Sequence, residues 1–184
     1  MLENTFYATA ARKLLSPPAK PVPLNGDESL LFRWMVPADE AILARACYAN
    51  MPQTEFSASF SHALHSADLN CCIPIVAQMG TKLVGASQLF RLPGNAEVAN
   101  LAVAPGNRRQ GIGGSLMQLM IALASQLAFD TIYLSVLPNN TPALNLYYKL
   151  SFQDDHYLRL PGMLDPILVM RFVLHHHNRD TDRQ

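Results

Sequence analysis

The stretch from Ala96 to Leu127 constrains this chain most, because it runs from a strand pattern through a glycine-rich turn into a helix pattern. Val98, Leu101 and Val103 supply the β-type residues of a short strand, and Pro105-Gly106-Asn107 breaks it. Leu116, Met120, Leu123 and Leu127 then recur at helical spacing beside Met117, Ile121 and Ala124, so one broad helix face is apolar. Between the two lies Arg108-Arg109-Gln110-Gly111-Ile112-Gly113-Gly114. The first turn of a helix has free N–H donors and the positive end of the dipole. Glycines there let a phosphate approach the backbone, and two arginines just upstream add positive charge. The turn calls for a phosphorylated ligand.

Two common ligands are excluded by what is missing. A nucleoside-triphosphate loop needs a lysine after its last glycine, and none follows here. A dinucleotide fingerprint needs a third glycine where Leu116 stands. Composition narrows the class further. At 184 residues, 49% hydrophobic and 15% charged, the chain suits one domain with a real core. Its formal net charge of +0 argues against a nucleic-acid partner. No apolar run is long enough to span a bilayer, and the start does not read as a secretory signal, so no membrane partner is expected. Cys47, Cys71 and Cys72 form neither a disulfide framework nor a zinc pattern. They read as reduced, packed cysteines of a cytoplasmic protein, with no metal.

The rest of the chain reads in order around this segment. Residues 1–27 form an extension, rich in proline at Pro17, Pro18, Pro21 and Pro23, with a short helix before them at Thr5 to Leu15. Its expected character is a flexible or surface-packed arm. Leu30 to Met35 is the first strand. Pro37-Ala38-Asp39 opens a helix to about Tyr48, with Ile42, Leu43 and Ala46 inward. A second helix covers Ser57 to Leu64, with His62 and His65 on it or at its end as surface or half-buried histidines. Cys72 to Gln78 and Lys82 to Phe90 form a hairpin, and Leu92-Pro93-Gly94-Asn95 turns the chain into the Ala96 strand. Beyond the central helix, Thr131 to Val136 is a buried strand. Thr141 and Pro142 then cap and open a helix to Leu150. His156 to Leu160 and Ile167 to Leu174 close the fold as a strand pair. Residues 175–184, with His175-His176-His177, read as a polar tail.

Two segments carry a family resemblance. Arg108-x-x-Gly111-x-Gly113, set between that strand and that helix, resembles the acyl-CoA pyrophosphate loop of the GNAT superfamily of N-acetyltransferases. Downstream, Asn140, Ala143, Leu146, Tyr147, Lys149 and Phe152 match the superfamily's Asn-x-x-Ala-x-x-Leu-Tyr-x-Lys-x-Gly-Phe run, with Ser151 where glycine is usual. Serine at that helix C-terminal position implies a small loss of stability. Glu97 to Phe152 is covered strongly and Leu30 to Leu174 more loosely. The bacterial branch that acetylates protein N-terminal amines, such as the ribosomal-protein alanine acetyltransferases, is the most similar. That branch often has glutamate on the strand before the Asn140 loop, where this chain has Leu134-Ser135-Val136.

The resemblance implies an α+β, GNAT-like acyl-CoA N-acyltransferase fold: a central, mostly antiparallel, splayed sheet flanked by helices. It implies one N-acetyltransferase domain over residues 28–174. It also implies direct attack of a primary amine on acetyl-CoA, with no metal. The pantetheine arm would lie along Leu101, Ala102 and Val103. The pyrophosphate would sit on Arg108, Arg109, Gln110, Gly111, Ile112, Gly113 and Gly114, with Asn140 nearby. Tyr147 takes the place of the family's general acid, releasing the thiolate with a proton. Glu97, at the start of the central strand, is the base candidate, directly or through water. The acceptor is a peptide N-terminus or a small-molecule amine, met by residues 51–70 and the last strands. The chain is expected to act as a monomer or homodimer. A non-catalytic acyl-CoA-binding module is the alternative.

Overall fold

The structure, a computed structural model, describes residues 22–23 and 29–174. The arm's proposed helix, most of the extension and the tail after Leu174 lie outside the described residues. In chain order the strands are β1 (Val22–Pro23), β2 (Ser29–Trp34), β3 (Cys72–Met79), β4 (Lys82–Leu92), β5 (Asn95–Val103), β6 (Thr131–Val136), β7 (Gln153–Leu158) and β8 (Ile167–Val173). The helices are α1 (Glu40–Ala46), α2 (Gln53–Asp68), α3 (Ile112–Gln126) and α4 (Thr141–Lys149). The strands form one sheet in the order β1-β2-β3-β4-β5-β6-β8-β7. Neighbours are antiparallel except β5 and β6. That pair is parallel because α3 carries the chain across the sheet between them, as a parallel connection requires. The α+β reading, with its mostly antiparallel sheet, holds.

The helices bury opposite faces of this sheet. Ile112, Leu116, Met117, Met120, Leu123 and Ala124 line the inner side of α3 and pack among Val84, Leu89, Val98 and Ile132. On the other side, Leu43 and Ala44 of α1 and Phe56 and Phe60 of α2 pack on Val76, Leu83 and Ala86. Where β2 turns into α1, Arg33 grips Asp39 with both guanidinium arms, at 2.7 and 2.8 Å, and Asp39 also accepts the Val36 N–H.

Several boundaries differ from expectation, each for a local reason. Val22–Pro23 lies within the proline-rich extension, yet it pairs with Ser29 and Leu30 at the sheet edge, where a strand tolerates proline. α2 is longer at both ends than Ser57 to Leu64, because its first turn is polar and its buried positions Phe56, Phe60, Ala63 and Ser66 extend past Leu64. Ile42 faces solvent, 45% exposed, and Ala44 takes the inward place beside Leu43. Cys71 is exposed rather than packed, whereas Cys72 is buried; all three cysteines are free. β7 begins at Gln153, three residues earlier than expected, and every residue in it is exposed. An edge strand needs no apolar alternation, and Asp154 and Asp155 guard that edge with charge.

The end of α4 shows the glycine substitution at work. Ser151 has φ +68°, the left-handed region, while its N–H donates to Tyr148 O and the Phe152 N–H returns to Tyr147 O. A non-glycine residue costs about 1 kcal/mol in that conformation. Ser151→Gly is therefore expected to raise the melting temperature by about 2–4 °C for a domain of this size. Thermal unfolding checks it, with Ser151→Ala as the variant that gains nothing.

Candidate active site

The glycine turn is built as an anion cradle. After Val103 a single 3-10 turn, Pro105–Asn107, swings the chain off the sheet. Arg109 (φ +65°) and Gly111 (φ +88°) are both left-handed, and Gly111 stands at the N-cap of α3. Ser115 N–H makes the bond to Gly111 O at 2.9 Å that starts the helix ladder. The N–H groups of Ile112, Gly113 and Gly114 precede it, so they have no partner within α3. A Cβ added at Gly111 would meet nothing within 4 Å, whereas one at Gly113 would come into van der Waals contact with Leu146 at 3.4 Å and Val103 at 3.6 Å. The cradle is thus open on one side and closed against α4 and β5 on the other. These features fit a phosphate group.

The arginines divide. Arg109 is exposed on the turn. Arg108 folds back, its Nε donating to Val103 O at 3.1 Å, so part of it secures the end of β5. Gln110 is exposed, and Ile112 is 1% exposed, with its side chain in the core.

Beside the cradle the sheet opens. β5 and β6 pair only over Asn95–Val98 and Thr131–Leu134. Beyond Val98, β5 stays with β4 and leaves β6, which continues with β8 to Val136. The cause is a bulge. The β4–β5 register slips between Ala86 and Gln88, and Asn100, at φ +52°, is the extra residue. The ladder then fixes which way each amide points. Ala104 N–H donates to Val84 O at 2.9 Å, and Ala102 pairs with Ala86. By strand alternation Ala102 turns its backbone to β4, while Leu101 and Val103 turn theirs to the edge that β6 has left.

α4 forms the opposite wall. Its N-cap is Asn140, one residue earlier than expected, with Oδ1 accepting the Ala143 N–H at 3.3 Å. Pro142 therefore sits second in the helix rather than first. Leu146 packs on the first turn of α3, and the adjacent Tyr147 is 7% exposed. The Tyr147 ring leans on Phe152, centroids 6.0 Å apart, and its hydroxyl has no hydrogen-bond partner among the described residues. Burial pushes its pKa up to about 12, so it keeps its proton at neutral pH.

Glu97 lies on the paired part of β5, opposite Phe90 on β4 and Tyr133 on β6, and is half-buried. That row faces α2, since His62 of α2 stacks on Phe90 at 5.6 Å. Ser135 is exposed on β6, just past its last pairing with β5. Both histidines of α2 are exposed. The thiols offer no nucleophile near the cleft: burial pushes Cys47 up to about 11, and Cys72 up as well.

The sequence reading missed a polar cluster around the bulge. Asn100 Nδ2 donates to Gln88 Oε1 at 2.8 Å and Ser59 Oγ at 2.9 Å, and its carbonyl accepts the Tyr48 hydroxyl. The available signal was an asparagine interrupting the apolar run Val98 to Val103. A cavity of about 280 Å³ lies elsewhere, at the far end of the sheet among Trp34, Leu64, Cys72, Leu89, Leu127 and Phe129; the end of the 51–70 stretch lines it, but none of the catalytic or cofactor-binding candidates does. No described helix is long and apolar enough to cross a membrane. Among the described residues no cluster of three or more His, Cys, Asp or Glu side chains is arranged to hold a metal ion.

Comparison with known proteins agrees with this geometry. The chain is 39% identical over 79 residues, 41% of its length and 47% of the relative's, to an N-alpha-acetyltransferase from Sulfurisphaera tokodaii. The chain spans about half the length of the curated relatives it matches. The ribosomal-protein-S18-alanine N-acetyltransferase from Escherichia coli superposes with a TM-score of 0.66 at 16% identity, over 82% of this chain and 97% of that one. The paia N-acetyltransferase from Thermoplasma acidophilum, solved with coenzyme A, gives 0.63 at 16%, over 79% and 99%. At those identities the superpositions establish the fold. The model of the acetyltransferase (GNAT) family matches residues 30–152, from β2 to the start of β7, and so leaves out β1, β7 and β8 of the sheet. With that match over most of the chain, the protein belongs to the acetyltransferase (GNAT) family.

Proposed function

We propose that this protein transfers an acetyl group from acetyl-CoA to the N-terminal α-amino group of a polypeptide, and that residues 28–174 are the transferring unit. The observation that carries the transfer reading is the opened β5–β6 pair. Its lips are an anion cradle at the start of α3 and the buried, protonated Tyr147 of α4. The pyrophosphate fits the N–H groups of Ile112, Gly113 and Gly114, with Arg109 adding charge. The pantetheine arm fits along the free edge of β5 at Leu101 and Val103, the only stretch of that strand facing the gap. Asn140 holds the mouth of α4 beside it.

The chemistry needs little from side chains. The amine nitrogen bonds to the acetyl carbon, the carbon–sulfur bond breaks, and the thiolate takes a proton with Tyr147 as its donor. Glu97 stands four residues before Leu101, at most about 13 Å along the strand, so it draws the ammonium proton through water. The acceptor choice is supported by the N-terminal activities named for the Sulfurisphaera and Escherichia proteins. A polyamine or other small amine is the second reading, favoured by Ser135 standing where the resembled branch often has glutamate.

The deciding experiment supplies acetyl-CoA with either alanine-initiated peptides or spermidine, and follows free thiol and product mass. Acetylated peptide termini support the proposal. Turnover of spermidine alone would move the protein to the small-amine reading, and no turnover with intact acetyl-CoA binding would leave a binding module. Glu97→Gln is expected to lower kcat about tenfold to hundredfold near neutral pH, the usual scale for a general base. The loss should shrink above about pH 9, where an α-amino group is already neutral. A pH-independent defect would remove Glu97 from the proton path.

A further inference from the structure

The bulge does more than open the sheet. Three separate elements hold Asn100: Gln88 on β4, Ser59 on α2, and Tyr48 just beyond α1. A single strand residue tied this heavily fixes the peptide that follows it. That peptide joins Asn100 to Leu101. It is planar and trans, so the Asn100 C=O and the Leu101 N–H point in opposite directions. Tyr48 holds the carbonyl on the side of α1 and α2, which turns the Leu101 N–H away from them. The β4–β5 ladder independently directs the same N–H toward the gap beside β6.

We propose that Tyr48 is a positioning residue for acetyl transfer: its hydroxyl, donating to the Asn100 carbonyl, aims and polarises the Leu101 N–H as the donor to the acetyl thioester oxygen. This rests on acetyl-CoA lying along β5 as proposed above. A hydrogen bond accepted by a peptide carbonyl strengthens the N–H of the same peptide as a donor. When the amine nitrogen attacks, the carbonyl electron pair moves onto oxygen, and a donor fixed beforehand stabilises it without rearrangement. As the carbon–sulfur bond breaks, that pair returns to form the amide carbonyl. Burial pushes the Tyr48 pKa upward, so the hydroxyl stays a donor throughout the working range. Its ring packs on Phe56 at a tilt of 34°, centroids 4.8 Å apart, and that contact survives loss of the hydroxyl.

Tyr48→Phe isolates the one hydrogen bond. Wild type and variant are titrated with acetyl-CoA and with S-ethyl-CoA, a thioether that lacks the carbonyl oxygen. Wild type should prefer acetyl-CoA by about five- to tenfold, the scale of one net hydrogen bond. The variant should lose most of that preference while binding S-ethyl-CoA as before, and its kcat should fall with little change in the peptide KM. A merely structural role would weaken both ligands equally, and that result overturns the proposal. So does a wild type with no preference, or a variant that keeps it. The binding comparison needs no acceptor, so a wrong acceptor leaves it intact. Failure of wild type to bind either ligand would instead remove the acetyl-CoA reading, and this proposal with it.

Discussion

Gly113→Glu should abolish acetyl-CoA and CoA binding together, weakening both by a hundredfold or more. Two effects combine. The new Cβ would sit 3.4 Å from Leu146 Cδ2 and 3.6 Å from Val103 Cγ2, so the side chain has to leave on the open side of the cradle. There it sets a carboxylate among the N–H groups that would hold phosphate. Two like charges about 4 Å apart repel by roughly 1 kcal/mol in water and 4 kcal/mol at the effective dielectric of a protein surface. Against a doubly charged pyrophosphate, even the middle of that range is worth about two orders of magnitude in affinity. Gly113→Ala separates the terms, since it keeps the steric contact without the charge and should cost only a few-fold. Titration calorimetry reads the affinities, and thermal unfolding confirms that the glutamate variant is folded. Undiminished binding would mean that the pyrophosphate does not use this turn.

How far the sequence went depended on whether an element's signal was local. The α3 segment was legible because its apolar face is continuous and its glycines sit at the N-terminus where only a small side chain leaves the amides accessible. β3 and β4 were legible because they are buried and flanked by turn residues; β6, also bounded by turns, is buried only at alternate positions, Ile132, Leu134 and Val136. β7 was misplaced because its residues answer to an exposed edge, not to a core. The α4 cap was placed one residue late because Asn140 and Thr141 are both good caps, and only the backbone decides between them. Of the Tyr48–Asn100–Gln88–Ser59 cluster, only Asn100 left a mark in the sequence, as a polar residue within an apolar run. The partners of Asn100 lie 12 to 52 positions before it and meet it only because a bulge, α1 and α2 converge on β5. A non-glycine residue with positive φ inside a strand has no one-residue signature, although asparagine is the residue that tolerates it best.

Tyr147→Phe should lower kcat about a hundredfold while leaving acetyl-CoA affinity unchanged and stability no worse. The magnitude follows from the proton balance. With burial holding the phenol near 12, full transfer to a thiolate of ordinary basicity, about 8.5, is uphill by roughly 3.5 pKa units, or about 5 kcal/mol. Tyr147 therefore helps most as a hydrogen-bond donor to sulfur while the carbon–sulfur bond is breaking, which puts its effect at the low end of the range of about 10²–10⁴ for acid catalysis. The same pKa fixes the pH dependence. The acid must hold its proton, and it does so until pH approaches about 12. Wild type should thus show no fall in kcat from this group over about pH 7–10, and the variant's profile should run parallel beneath it. The hydroxyl makes no hydrogen bond to a described residue and is not among the buried unpaired polar atoms, so its removal breaks no protein contact and leaves no buried group unpaired. The melting temperature should therefore stay level. A residue whose hydroxyl can be lost without cost to the fold, but not without cost to turnover, is held for chemistry. Steady-state kinetics across pH, calorimetry and thermal unfolding on the same preparation test all three parts. Unchanged turnover would return Tyr147 to the core as an aromatic packed on Phe152.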